Sequence, residues 1–256
     1  WYQRVQQIIN RYPVAIVPGG TSNGIASSLS SYNVVEAVKK FIEGKPHRVD
    51  LNRVSFPMTK QKPVWDCLVV SWGAVAEHDI LQEQKLRSIG WLRNILAPIL
   101  VISRGKTYRG VLKMLPAPLT EQQKKTQVYK NPDELESEPG SQWKVIKGDN
   151  NVFSMVEAVN VPYGSYDAKL APHVLPDEGA FDLLVVPKSS RKECFEIFLN
   201  VETGDHIKHP RVFSYKVREL IIKPHTSDGI ISLSGTIFPE TEVHIASYQG
   251  LGYLVY

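Results

Sequence analysis

Residues 13–26 read Pro-Val-Ala-Ile-Val-Pro-Gly-Gly-Thr-Ser-Asn-Gly-Ile-Ala. The apolar run Val14 to Val17 is typical of a short buried strand, Pro18-Gly19-Gly20 forces a turn, and Asn23 to Leu29 can start a helix. Upstream, Val5, Ile8, Ile9 and Tyr12 share one helical face, and Pro13 ends that helix. Downstream, Asn33-Val34-Val35-Glu36 is a capping-box pattern opening a helix through Ile42. Its apolar positions are Val34, Val38 and Phe41, and Gly44 and Pro46 terminate it. Helix, strand, glycine turn and helix make this part α/β in character.

Beyond about residue 47 the pattern changes. Val64–Trp72, Thr107–Leu115, Val152–Val159, Ala180–Val186, Val217–Ile222 and Glu242–Ala246 are strand-like runs rich in β-branched and aromatic residues. One helix interrupts them: Cys194, Phe195, Phe198 and Leu199 share a face, and Ser190 with Glu193 forms a capping box. The expected organisation is an α/β portion over 1–46 and a mainly β domain, read as a sandwich, over 47–256. Residues 117–150, polar and poor in large apolar side chains, are expected to form a mobile surface insertion.

Composition narrows the classes. Hydrophobic residues make up 43% and charged residues 22%, as in an ordinary globular chain. A net charge of +4 favours anionic partners such as phosphates or acidic lipid headgroups, and is far below a nucleic-acid-binding signature. The two cysteines, Cys67 and Cys194, lie far apart in apolar runs, so a reduced, cytoplasmic protein is the simpler reading, with a single disulfide as the alternative. The longest apolar stretch, Ile95 to Ile102, is too short for a membrane span of about 18–20 residues. The chain opens Trp-Tyr-Gln-Arg, without an initiator Met or a signal-peptide pattern.

Three segments carry candidate chemistry. In the first, glycines let backbone N–H groups turn inward at a helix start, while Thr21, Ser22 and Asn23 add side-chain donors. On spacing alone an ordinary strand-to-helix turn capped by Ser22 or Asn23 is the favoured reading, and no Walker A lysine follows. The second segment runs Ser71-Trp72-Gly73-Ala74-Val75-Ala76-Glu77-His78-Asp79, then Arg87-Ser88-Ile89-Gly90-Trp91-Leu92-Arg93. The third is Lys106-Thr107-Tyr108-Arg109-Gly110. On an unbroken helix Arg87 and Arg93 would point about 120° apart, and Gly90 permits a break that aims both at one anion. Asp79 could simply cap a helix with Gln82 at the third position, and His78 finds no partner ligands for a metal.

The loop Pro-Gly-Gly-Thr-x-Asn-x-x-Ala resembles the second nucleotide-binding loop of the diacylglycerol kinase catalytic family. The order of the Trp-Gly strand end, acidic pair, Arg-x-x-Gly-x-x-Arg element and Thr-Tyr-Arg-Gly strand is similar to that of the sphingosine kinases in this group. The resemblance implies a two-domain lipid kinase that uses ATP and Mg²⁺, associates peripherally with membranes, and phosphorylates a sphingoid base. It assigns Gly20, Thr21, Ser22, Asn23, Arg87 and Arg93 to the nucleotide and Asp79 to the amine and hydroxyl of the lipid. A ceramide or diacylglycerol kinase is the nearest alternative, and an impaired lipid- or nucleotide-binding homologue is the one from another class. Two departures are notable. The family's Gly-Asp-Gly loop, with its candidate base, would fall upstream of Trp1, so no catalytic residue is assigned within the chain and its catalytic region is expected to be N-terminally incomplete. The family's Asp-Gly-Glu aligns with Ser234-Gly235-Thr236, which carries neither carboxylate, and Glu240 and Glu242 lie outside the motif. Leu68, Val70, Trp72 and Phe195 are candidates for the lipid tunnel and equally for the core.

Overall fold

The computed structural model describes residues 13–20, 22–225, 230–238 and 242–255. The helix expected before Pro13, the side chain of Thr21 and Glu240 lie outside the described residues. The strands are β1 (Val14–Ala15), β2 (Pro46–Ser55), β3 (Val64–Asp66), β4 (Val69–Gly73), β5 (Tyr108–Pro116), β6 (Glu136–Ser137), β7 (Lys144–Ile146), β8 (Val152–Val159), β9 (Phe181–Pro187), β10 (Phe213–Pro224), β11 (Ile231–Leu233), β12 (Thr236–Phe238) and β13 (Val243–Val255). The helices are α1 (Gly24–Ser28), α2 (Val34–Glu43), α3 (Ala74–Ile80), α4 (Arg93–Arg104), α5 (Glu121–Thr126) and α6 (Arg191–Leu199).

The strands run β12-β11-β4-β8-β5-β10-β13-β2-β3, and β9 pairs with both β8 and β10, so the sheet folds back on itself. Between its layers lies one large core that includes Val70, Trp72, Leu112, Phe153, Phe181 and Ile245. Period-two alternation decides which side chains enter it. Tyr108, Leu112 and Met114 of β5 are buried while Arg109 is exposed. Trp72 packs on Phe153 at 5.7 Å between ring centroids. The α/β portion is joined to this sandwich by its strand: β1 pairs in parallel with the end of β13, Val14 against Leu254. The mixture of an α/β portion with a mainly β sandwich is the fold expected.

Helices α3, α4 and α6, with the 160–174 loop, cover the outer face of β4, β8 and β9. The capping box of α6 forms as read: Ser190 N donates to Glu193 Oε2 at 2.7 Å and Glu193 N to Ser190 Oγ at 3.2 Å. Asn33 accepts from Glu36 N at 2.9 Å, starting α2. The apolar positions of α2 do not enter the core, however: Val34, Val38 and Phe41 are exposed and Ala37 is the buried residue.

Residues 117–150 depart from the expected mobile insertion. They supply α5, β6 and β7; β7 pairs with β5, and Ile146 is buried in the main core. Gln123, 3% exposed, both closes a capping box with Thr120 and donates to the His173 carbonyl and to Glu178. Tyr129 donates to Asp182 at 2.9 Å. Buried polar anchors fasten this stretch where large apolar residues are few.

Candidate functional site

Gly73 ends β4 at φ 93°, a left-handed value that lets the chain turn directly from strand into α3. A Cβ there would sit 2.9 Å from the Ser154 carbonyl, so the close approach also requires glycine. Six residues on, Asp79 lies in the last turn of α3 and is not a helix cap. Its Oδ2 accepts from Ser232 Oγ of β11 at 2.5 Å, and Oδ1 lies 3.4 Å from His78 Nδ1. Glu77 on the same helix accepts from Lys106 at 2.6 Å, which ties the acidic pair to the Lys-Thr-Tyr-Arg segment. His78 is half-buried.

Asp79 borders a cavity of about 230 Å³ between the helices and the sheet. Its walls are mostly apolar: Ala74 and Val75 of α3, Val101 of α4, Met155 of β8, and Ile197 and Phe198 of α6 contribute. The candidate tunnel residues prove to be one position out of phase. Val70 and Trp72 point into the main core, while Val69 and Ser71, on the opposite face of β4, line the cavity. Neither Leu68 nor Phe195 is among the lining residues, and Phe195 is exposed.

Glu157 and His206 are lining residues that the sequence reading missed. Burial and the nearby Asp79 charge push the Glu157 carboxyl up to about 8, and burial holds the His206 ring below its ordinary value. A signal for Glu157 was present: it is the one charged residue in the strand run Val152–Val159.

The glycine loop is braced from within. Asn23 Oδ1 accepts from Gly20 N at 3.1 Å, and Asn23 Nδ2 donates to the Gly20 carbonyl at 2.5 Å. Ser22 offers its carbonyl to Tyr166 N, and a Cβ on Gly24 would lie 2.4 Å from the Gly164 carbonyl. Asn23 therefore shapes the loop, with φ 48°, and makes no side-chain cap bond to α1. The break expected between the arginines is present at Gly90, φ 61° and ψ −133°. Arg87 is exposed and Arg93 is half-buried at the start of α4.

At the β11–β12 hairpin, Ser234 and Gly235 form the turn with φ 47° and 86°, and Ser234 Oγ donates to Asp66. Burial raises the Asp66 carboxyl, opposed by the bonds from Ser234 and the backbone N–H of Leu68. Among the described residues no group of three or more acidic, histidine or cysteine side chains is placed to hold a metal ion. The hairpin hydroxyls do not fit Mg²⁺, whose protein ligands are typically carboxylates.

A β sandwich clad on one face by helices, with an α/β portion attached, is an architecture found among solved structures. A solved structure of a candidate diacylglycerol kinase from Bacillus anthracis str. Sterne shares the fold with a TM-score of 0.62 at 17% identity, covering 95% of this chain and 68% of that one. Residues 144–236 match the family described as YegS C-terminal NAD kinase beta sandwich-like domain. In sequence, the chain is similar to sphingosine kinases. It is 26% identical over 251 residues to sphingosine kinase 2 of Arabidopsis thaliana, covering 89% of this chain and 51% of the relative. It is 24% identical over 246 residues to human sphingosine kinase 1, covering 88% and 63%. The chain thus spans about half the length of the plant relative.

Proposed function

We propose that this chain belongs to an ATP-dependent kinase that phosphorylates the primary hydroxyl of a sphingoid base. The observation that carries the proposal is Asp79: a carboxylate, 22% exposed at its side chain, bordering a mostly apolar cavity. A carboxylate there pairs with the ammonium of a long-chain base while the cavity takes alkyl chain. Ser232 holds the carboxylate in place from the neighbouring hairpin. In this proposal Gly20, Thr21, Ser22 and Asn23 face the nucleotide, with Arg87 and Arg93 on its phosphates. The Gly90 break supports the arginine assignment, because it frees the two side chains from a single helical phase. ATP is the phosphoryl donor, and among the described residues no carboxylate set at the hairpin fits its magnesium. Ser234-Gly235-Thr236 favours a second reading, in which the chain binds the lipid and transfers phosphate poorly or not at all.

Peripheral membrane association is part of the same proposal. No helix among the described residues is long and apolar enough to cross a membrane. Helix α4 instead turns Ile95, Leu96, Ile99 and Leu100 outward, beside the exposed Phe195 and Leu199 of α6.

The decisive measurement is equilibrium binding of sphingosine and ceramide in detergent, because it does not depend on turnover. Wild type is expected to prefer sphingosine, and Asp79→Asn to lose roughly tenfold or more of that preference, the worth of a charged hydrogen bond. Equal wild-type affinity for the two lipids would remove Asp79 from the headgroup and the sphingoid base from the proposal.

A further inference from the structure

Inside the cavity lies a carboxyl group with nothing to bond. Glu157 is 1% exposed, and both of its carboxyl oxygens lack a hydrogen-bond partner. It sits on the outward face of β8, opposite Ser71 of β4, and Ser71 sits opposite Ser232 of β11. Directly opposed residues in antiparallel ladders share a face, so Ser232, Ser71 and Glu157 form a polar row across the sheet. The first member of that row is occupied by Asp79. The other two line the cavity.

Burying a carboxyl without a partner is unfavourable, and an apolar side chain would suit these walls better. Held up to about 8 by burial and by the Asp79 charge, Glu157 is a neutral acid near pH 7, with one O–H to donate and oxygens that accept. Such a group complements a neutral hydroxyl. A cationic amine is already served by Asp79, and a plain alkyl chain would leave Glu157 unbonded.

We propose that Glu157, with the Ser71 hydroxyl beside it, is a selectivity site for a hydroxyl carried on the alkyl chain of a long-chain amino alcohol. This rests on the reading of the cavity as the lipid site. It predicts that Glu157, and not Asp79 alone, decides how tightly chain-hydroxylated long-chain bases bind.

Three synthetic probes test it by equilibrium binding to the full chain: 2-aminooctadecan-1-ol, the corresponding 1,3-diol and the 1,3,4-triol. Wild type should bind at least one of the chain-hydroxylated probes roughly tenfold more tightly than the mono-ol, as one buried hydrogen bond allows. Glu157→Leu should erase that difference while binding the mono-ol at least as well, and Glu157→Gln, which keeps a donor and an acceptor, should retain most of it. A thermal melt of each variant controls for folding. A difference that survives in Glu157→Leu, or no difference in wild type, overturns the selectivity site and leaves the lipid-kinase reading standing. Failure of wild type to bind any of the three overturns both.

Discussion

Asp79 and Glu157 border one cavity, yet only Asp79 has a hydrogen-bond partner, and this difference makes Glu157 a pH-dependent burden on the fold. Below about pH 4.5 the carboxyl is protonated whether the chain is folded or not, and it contributes nothing to the pH dependence. Between about 4.5 and 8 the unfolded chain gives up the proton first, so the folded state loses ~1.4 kcal/mol of relative stability for each pH unit. Above about 8 both states are ionised and the slope ends. Urea unfolding of wild type and Glu157→Gln from pH 5 to 9 should therefore show the variant gaining steadily on wild type, with several kcal/mol between them at the top of the range. Parallel profiles would mean that the carboxyl is better solvated than its burial implies. At the same scale, Asn23 makes no side-chain cap bond to α1. Its amide is spent on Gly20, so it shapes the glycine loop from within.

Helix α4 has two unlike faces. Ala97, Pro98 and Val101 are buried against the rest of the molecule, while Leu96 and Ile99 are 40% and 42% exposed. Replacing both Leu96 and Ile99 by Glu should leave the melting temperature nearly unchanged, since neither is in the core. Co-sedimentation with anionic phosphatidylserine vesicles should fall roughly tenfold or more, because apolar insertion is lost and negative charge is added. Unaltered vesicle binding would exclude this face of α4 from the proposed membrane contact. Elements with strong local signals were legible in the sequence: β8 occupies Val152–Val159 as read, and α6 begins at the capping box of Ser190 and Glu193. What stayed hidden depends on partners distant in the chain. Strand β2 carries charged and polar residues through most of its length and is recruited by β13. The choice between Trp72 and Ser71 as cavity residues follows from which face the helices cover, and period two alone leaves that open. For the site, the position of Asp79 could be reached from the Trp-Gly strand end, but the neighbouring Ser232 joins it only through the pairing of β11 with β4.

The whole molecule is closed by its last described strand. β13 lies between β10 and β2, pairs with β1 as well, and buries Val243, Ile245 and Leu251. Asp50 fastens the irregularity in this pairing, accepting from Gly250 N at 2.7 Å and from Gly179 N at 2.6 Å. Deleting residues 243–255 should abolish cooperative unfolding, whereas a fold that survives the deletion would make β13 a mere addition to a sandwich already complete. The partners that β13 joins are made long before it: β2 ends at Ser55, and its neighbour in the sheet begins at Val243. During synthesis the ribosome must therefore deliver nearly two hundred further residues before that edge is paired. A nascent chain of this kind has high contact order, folds late, and carries an open strand edge through most of its translation. Expression in cells should accordingly respond to slower elongation and to chaperone supply.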